Sequence, residues 1–175
     1  MRARVPHLMA ALLTLCMACA PVSVRWDYDP EADFTQYKTF NWLPAGEGAE
    51  ADQSNWDHPF VDKRIEQALI TTLKGKGFEK TAAQPDLLVA YRFTVKQKTA
   101  VHLYDPPNPY WSPQPAQVQH LREGTLIIDL VDPSTRQLVW RGWGVGDYEL
   151  ATRPDLSREY LQRAVREIFK NYPPY

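Results

Sequence analysis

Carboxylates at short spacing are the first residues here whose types and positions could do chemistry. Asp27 and Asp29, Glu31 and Asp33, and Asp129 and Asp132 each lie two or three positions apart. Two carboxyl groups about 5–10 Å apart across a cleft can divide acid, base and nucleophile roles at a glycosidic bond. On an extended strand Asp27 and Asp29 share a face about 7 Å apart. That spacing suits a hydrolase, and it is equally the spacing of solvated strand residues.

Histidine is the other natural place for proton or metal chemistry. His58, His102 and His120 lie apart, with no HxH, HExxH or CxxC spacing. His58 follows Asp57 at a helix start, where a capping role is sufficient. His102 and His120 flank a proline-rich segment and would approach each other, with Asp105, if its ends met. No metal site and no cofactor are expected. Ser23, Ser54, Ser112, Ser134 and Ser157 lack a Gly-x-Ser-x-Gly elbow. Gly142-x-Gly144-x-Gly146 reads as a strand end and not as a phosphate-binding strand-to-helix turn. No catalytic residue is assigned, and the chain is expected not to be an enzyme.

Cys19 carries a different chemistry. Arg2 and Arg4 give a positive start, Leu8 to Met17 form an apolar stretch, and small residues surround Cys19. This is the layout of an export signal. The stretch is about ten residues, half of what a spanning helix needs. Cleavage after Ala20 by an ordinary signal peptidase would leave Pro21 beside the cut, where its fixed φ disturbs an extended substrate. Cys16-Met17-Ala18-Cys19 resembles a bacterial lipobox with Cys19 as the acylated residue, although Cys16 stands where an aliphatic residue is usual. A frame ending at Cys16 restores the aliphatic residue but places Leu15 where a small one belongs. Residues 1–18 are thus expected to be a signal peptide and 19–21 a lipidated tether. Several acyl chains hold a protein on a membrane durably where one would not. Ala20, with no Asp after the cysteine, resembles the enterobacterial pattern for the outer membrane, with the domain facing the periplasm.

Composition narrows the partners. Removing residues 1–18 leaves 18 basic against 21 acidic residues. That balance offers no basic footprint for a phosphate backbone, and nucleic acid is excluded as a partner. With Cys16 removed and Cys19 acylated the folded part would hold no thiol, so disulfides, cysteine nucleophiles and Cys-ligated metals are excluded. Stability then rests on an ordinary core rich in aromatics, with six Trp, nine Tyr and six Phe.

The elements that would position these groups follow from periodicity. Val22, Val24 and Trp26 alternate with polar residues, and Tyr37 to Trp42 alternate again, predicting two strands. Residues 44–57 have no period and predict a loop. Pro59 opens an amphipathic helix carrying Val61, Ile65, Ala68, Leu69 and Leu73, which Gly75 and Gly77 stop. Leu87 to Val95 predict a central strand. Residues 99–121, with five prolines between Pro106 and Pro115, predict a loop without strand or helix. Gly124 to Asp132 and Leu138 to Val145 predict a hairpin turning at Asp132-Pro133-Ser134-Thr135. Pro154 opens a last helix bearing Leu161, Ala164, Val165, Ile168, Phe169 and Tyr172. The expected fold is α+β: a two-layer, largely antiparallel five-stranded sheet with two amphipathic helices on one face, in the order ββ-α-β-ββ-α, as one domain over 22–175.

Four ordered motifs resemble a known family of bacterial lipoproteins, domain of unknown function 4136. They are Asp27 to Phe34 with Tyr37 to Trp42, Pro85-Asp86-Leu87-Leu88-Val89, Gly124 to Leu130, and Leu138-Val139-Trp140-Arg141-Gly142. The resemblance covers about residues 22–173. It implies small, signal-bearing, often lipid-anchored envelope proteins of α+β fold with no assigned activity, and carries over no site residue. The residues themselves assign Asp86 to a turn and Trp140 and Arg141 to opposite faces of a strand. Gly142 and Gly144 permit close backbone approach or a bulge.

The candidate for function is the loop with Tyr104, Tyr110 and Trp111. Exposed aromatics on an extended proline segment are favoured partner anchors; a lid folded over the sheet and a disordered segment are the alternatives. The expected role is a non-enzymatic interaction or assembly module, bound to the membrane by its acyl chains and to another envelope protein. The runner-up is a small-molecule or glycan binder with a pocket between sheet and helices, beside Trp140 or Trp143.

Overall fold

In this computed structural model the described residues are 22–44, 59–102 and 117–173. Six strands form one sheet: β1 (Ser23–Tyr28), β2 (Thr39–Trp42), β3 (Glu79–Lys80), β4 (Leu87–His102), β5 (Gln117–Asp132) and β6 (Gln137–Asp147). Their order across the sheet is β1-β6-β5-β4-β2-β3. The helices are α1 (Pro59–Gly75), α2 (Tyr148–Thr152) and α3 (Ser157–Ile168), with single 3-10 turns at Phe34–Gln36 and Phe169–Asn171. The α+β class therefore holds, while the expected five strands and two helices become six and three.

The additions have local causes. β3 is two residues long, too short for any alternation to register. α2 is five residues, begun by the Asp147 carboxylate accepting from the N–H groups of Glu149 and Leu150. β4 and β5 run through 99–102 and 117–121, which were expected to be loop. All five prolines of that region fall between 106 and 115, so the flanks keep every N–H that a ladder needs. Pro154 does not open α3; it lies in the preceding turn, and the helix begins at Ser157.

The β1–β6, β6–β5 and β5–β4 pairings are antiparallel, while β2 pairs in parallel with both β4 and β3. α1 explains the exception. It carries the chain back along the sheet between β2 and β4, and a crossover of that kind returns a strand in the same direction. α1 ends as its glycine predicts. Gly77 adopts φ +89°, and the Phe78 N–H donates to the Leu73 carbonyl, folding the buried Phe78 onto the last turn.

α1 and α3 pack side by side on one face of the sheet. Val61, Ile65, Leu69 and Leu73 of α1 and Leu161, Val165 and Ile168 of α3 are buried against Phe40, Leu87, Val89, Leu126, Ile128, Leu130 and Trp140. Trp140 stacks on Phe169 with ring centres 4.9 Å apart, and Tyr172 meets it edge-on at 5.3 Å. Gly142 is what makes room: a Cβ there would collide with Trp140 and stand 2.6 Å from Ile168. The sheet's one irregularity is not at these glycines. It falls at Leu130/Val131, where Val139 is left without a partner in β5; on its other side the Val139 carbonyl accepts from the Asp29 N–H.

Candidate interaction site

β4 and β5 are each 16 residues long, about 50 Å at strand rise and well beyond the usual five or six residues. β2 pairs with β4 only at Leu87–Val89, and β6 pairs with β5 only from Glu123 onward. Among the described residues, the two strands pair with each other alone from Gln97↔Arg122 to His102↔Gln117. That stretch projects roughly 20 Å beyond the body as a two-stranded ribbon. Its sequence keeps the β-branched and long polar residues that suit an exposed strand: Gln97, Lys98, Thr99 and Val101 on β4. Lys96 to Thr99 and His120 to Arg122 are exposed, with Leu121 43% accessible.

An isolated two-stranded ribbon is marginally stable in water, and this one is braced where it leaves the body. The Arg122 guanidinium lies 4.5 Å from the ring centre of Tyr148 and donates to Glu149 Oε1 at 2.9 Å. Tyr148 in turn stacks on Phe93 of β4, ring centres 6.3 Å apart. Beneath, the Asp147 N–H donates to the Tyr160 hydroxyl at 2.8 Å, tying α2 to α3; burial raises the Tyr160 pKa. Across the ribbon's base Lys98 Nζ meets Glu123 Oε1 at 2.7 Å. Arg122, Tyr148 and Glu149 were not read from sequence. The available signal was the Asp147-Tyr148-Glu149 helix start, which is too short for periodicity to flag.

Residues singled out from sequence are scattered rather than gathered. Tyr104, Tyr110 and Trp111, and likewise Cys19, His58 and Asp105, lie outside the described residues. His102 and His120 are on paired strands but three rungs apart, about 10 Å along the ladder. Among the described residues no three His, Cys, Asp or Glu side chains are placed to hold a metal ion. Asp27 is on β1 and accepts from the Tyr28 N–H, while Asp29 caps the turn at Glu31. Asp33 starts the 3-10 turn by accepting from the Thr35 N–H. Asp129 grips Arg141 on the helix-free face through two bonds, the longer 2.7 Å.

Asp132 accepts from Ser134, Thr135 and the Tyr37 hydroxyl. Burial opposes its charge, but these donors hold its pKa below the usual range, while burial and Asp132 together push Tyr37 up to about 12. Gly146 is not a simple strand end, because β6 continues to Asp147 and α2 begins at the next residue, Tyr148. That junction offers no open helix terminus, since Asp147 already fills it.

The space beside Trp140 is filled by Phe169, Tyr172 and Ile168. A recess of only about 20 Å³, little more than room for a water molecule, lies elsewhere, between the sheet and α2–α3, and is lined by Val22, Phe93, Gly124, Gly146, Ala151 and Tyr160 among others. Ligand pockets usually start near 300 Å³ and enclose most of the ligand.

No curated protein is detectably similar in sequence. A PDZ domain protein from Parabacteroides distasonis is 15% identical, with a TM-score of 0.54; the likeness covers 89% of this chain but only 36% of that one. PelC from Paraburkholderia phytofirmans, crystallised as a dodecamer, is 14% identical with a TM-score of 0.44, covering 85% of this chain and 95% of its own. The first likeness is one of fold alone, and the second is too distant to establish even that. The sequence profile of a domain of unknown function (DUF4136) matches residues 24–174. Spanning the sheet, its helices and the ribbon, that match means that the chain belongs to the DUF4136 family.

Proposed function

We propose that this protein is a lipid-anchored bacterial envelope module, non-enzymatic, that uses the β4–β5 ribbon to engage another envelope protein. The observation that carries the reading is the ribbon: six rungs of paired strand with no neighbour on either edge among the described residues. Unpaired strand edges are templates for a further strand, and main-chain pairing of that kind is a common mode of protein recognition. Residues 103–116, which join the two strands in sequence and lie outside the described residues, carry Tyr104, Tyr110 and Trp111. Cys19 acylation would hold the body at the outer membrane, facing the periplasm.

Two measurements test it. Metabolic labelling with an alkyne fatty acid should mark the wild-type chain and not Cys19→Ala; equal labelling sinks the anchor. A photo-crosslinker at Leu121 in native membranes should give a discrete adduct that the same probe at Phe60, also exposed, does not. Identical products from both positions sink the ribbon. Binding of a small molecule or glycan is the second reading and would use the recess near Tyr160. Its apolar lining of Val22, Phe93, Leu126, Ala151 and Leu161 around the Tyr160 hydroxyl is the observation in its favour.

A further inference from the structure

β1 forms one border of the sheet, and among the described residues nothing pairs with its outer side. Which backbone groups face outward can be read from one bond. The Asp29 N–H donates to the Val139 carbonyl of β6, in the same register that pairs Ser23 with Val145 and Asp27 with Arg141. In an antiparallel ladder the direction alternates by residue. Ser23, Arg25 and Asp27 therefore spend their backbone groups on β6, while Val24, Trp26 and Tyr28 aim theirs outward. The Tyr28 N–H agrees: it donates to the Asp27 carboxylate at 2.9 Å and not into the sheet.

The side chains along this border are self-complementary. Val24, Arg25, Trp26, Asp27 and Tyr28 form a near-palindrome in character: apolar, basic, aromatic, acidic, aromatic. Arg25 and Asp27 are exposed on the helix-free face, and neither has an ionic partner among the described residues. Charges on an edge strand ordinarily repel a further strand. Here their opposite signs straddle a central residue, so a strand of the same sequence running antiparallel is the one that fits.

We propose that β1 pairs with β1 of a second copy across a two-fold axis at Trp26. In this register Val24 meets Tyr28 of the other copy and Trp26 meets its counterpart. All three rungs use the outward-facing backbone groups. Arg25 falls opposite Asp27, and Asp27 opposite Arg25, at non-hydrogen-bonded rungs, where side chains stand closest. The Asp27 carboxylate leaves the Tyr28 N–H, which donates to the partner strand instead.

Two features of the body continue through this seam. The registered row Asp129, Arg141, Asp27 alternates in sign, and Arg25 of the second copy extends it. On the other face Val24, Trp26 and Tyr28, half-buried in one copy, are covered by their equivalents. α3 lies over β1 and β6, so the axis sets the two α3 helices about 10 Å apart, an ordinary packing distance. The pairing stands independently of the anchor and of the ribbon.

The test is a charge swap, read as mass by light scattering of the full chain in detergent across a dilution series. Wild type should show a two-copy species. Arg25→Asp and Asp27→Arg each place like charges at both side-chain rungs and should weaken association at least about tenfold. Mixing these two variants sets Asp against Arg at both rungs and should restore the two-copy mass, as should the double variant R25D/D27R alone. Unchanged thermal transitions would show that the single variants still fold. A wild-type chain of single-copy mass, whether or not its edge takes a strand from another protein, overturns the proposal. So does a two-copy mass that survives either single substitution, or a mixture that stays dissociated.

Discussion

Asp86 and Thr39 hold each other in a closed pair across 47 residues of sequence. Asp86 Oδ2 accepts from the Thr39 N–H and the Thr39 hydroxyl, each at 2.8 Å, and the Thr39 hydroxyl accepts from the Asp86 N–H at 3.0 Å. The Lys38 N–H donates to the same carboxylate oxygen at 2.9 Å. The sequence suggested a local turn for Asp86. It instead fastens the start of β2 to the start of β4, so the parallel pair begins in register at Phe40↔Leu87.

Those donors, the Lys38 N–H first and then Thr39, hold the Asp86 carboxyl below its usual pKa. A carboxylate with a depressed folded-state pKa stabilises the fold fully above its unfolded value, about 3.9, and loses that contribution as pH falls through the lower folded value. Asp86→Asn should therefore cost about 1–3 kcal/mol at pH 7. Urea titrations of wild type and variant should converge as pH drops below about 4. A gap that stays constant from pH 7 to pH 3 contradicts this account.

Gly142 and Gly144 make a graded pair. An added Cβ at 142 meets the Trp140 ring and Ile168 Cγ2 at 2.6 Å, whereas at 144 it meets Ile168 Cδ1 and Val22 Cγ1 at 3.1 Å. Trp140 is fully buried and stacked, so it cannot yield. Gly142→Ala should destabilise by about 1–3 kcal/mol through overpacking, seen as a Tm lower by several degrees. Gly144→Ala touches the ends of aliphatic side chains that can turn aside, and should cost under about 1 kcal/mol. Equal losses in thermal melts would show that the Trp140 contact is not what demands glycine.

Arg122→Ala removes both the ion pair to Glu149 and the contact with the Tyr148 ring. Exposed interactions of these two kinds contribute roughly 0.2–1 kcal/mol each. The body's melting transition should barely move, because Arg122 and Glu149 are exposed and the buried Tyr148 keeps its stack on Phe93. Hydrogen exchange should quicken between 95 and 102 and between 117 and 122, with α1 and α3 keeping their protection. Loss of protection spread evenly over the sheet would show that α2 does not brace the ribbon specifically.

The two amphipathic helices, the strand cores and the turn at Asp132-Pro133 follow from sequence because each is a local pattern. Apolar residues at helical spacing in Val61–Leu73 and Leu161–Phe169, and alternation in Gly124–Asp132, need no knowledge of neighbours. Family membership was likewise legible in four short motifs. The tertiary structure alone decided that β2 lies parallel beside β4, since period-two alternation names a face but never a partner strand. It also decided that 99–102 and 117–121 are ribbon: prolines in the middle of a segment say nothing about proline-free flanks that satisfy each other. The brace of Arg122 on Tyr148 and Glu149, and the outward-facing groups of Val24, Trp26 and Tyr28, depend on contacts distant in sequence. They exist only once the sheet is assembled.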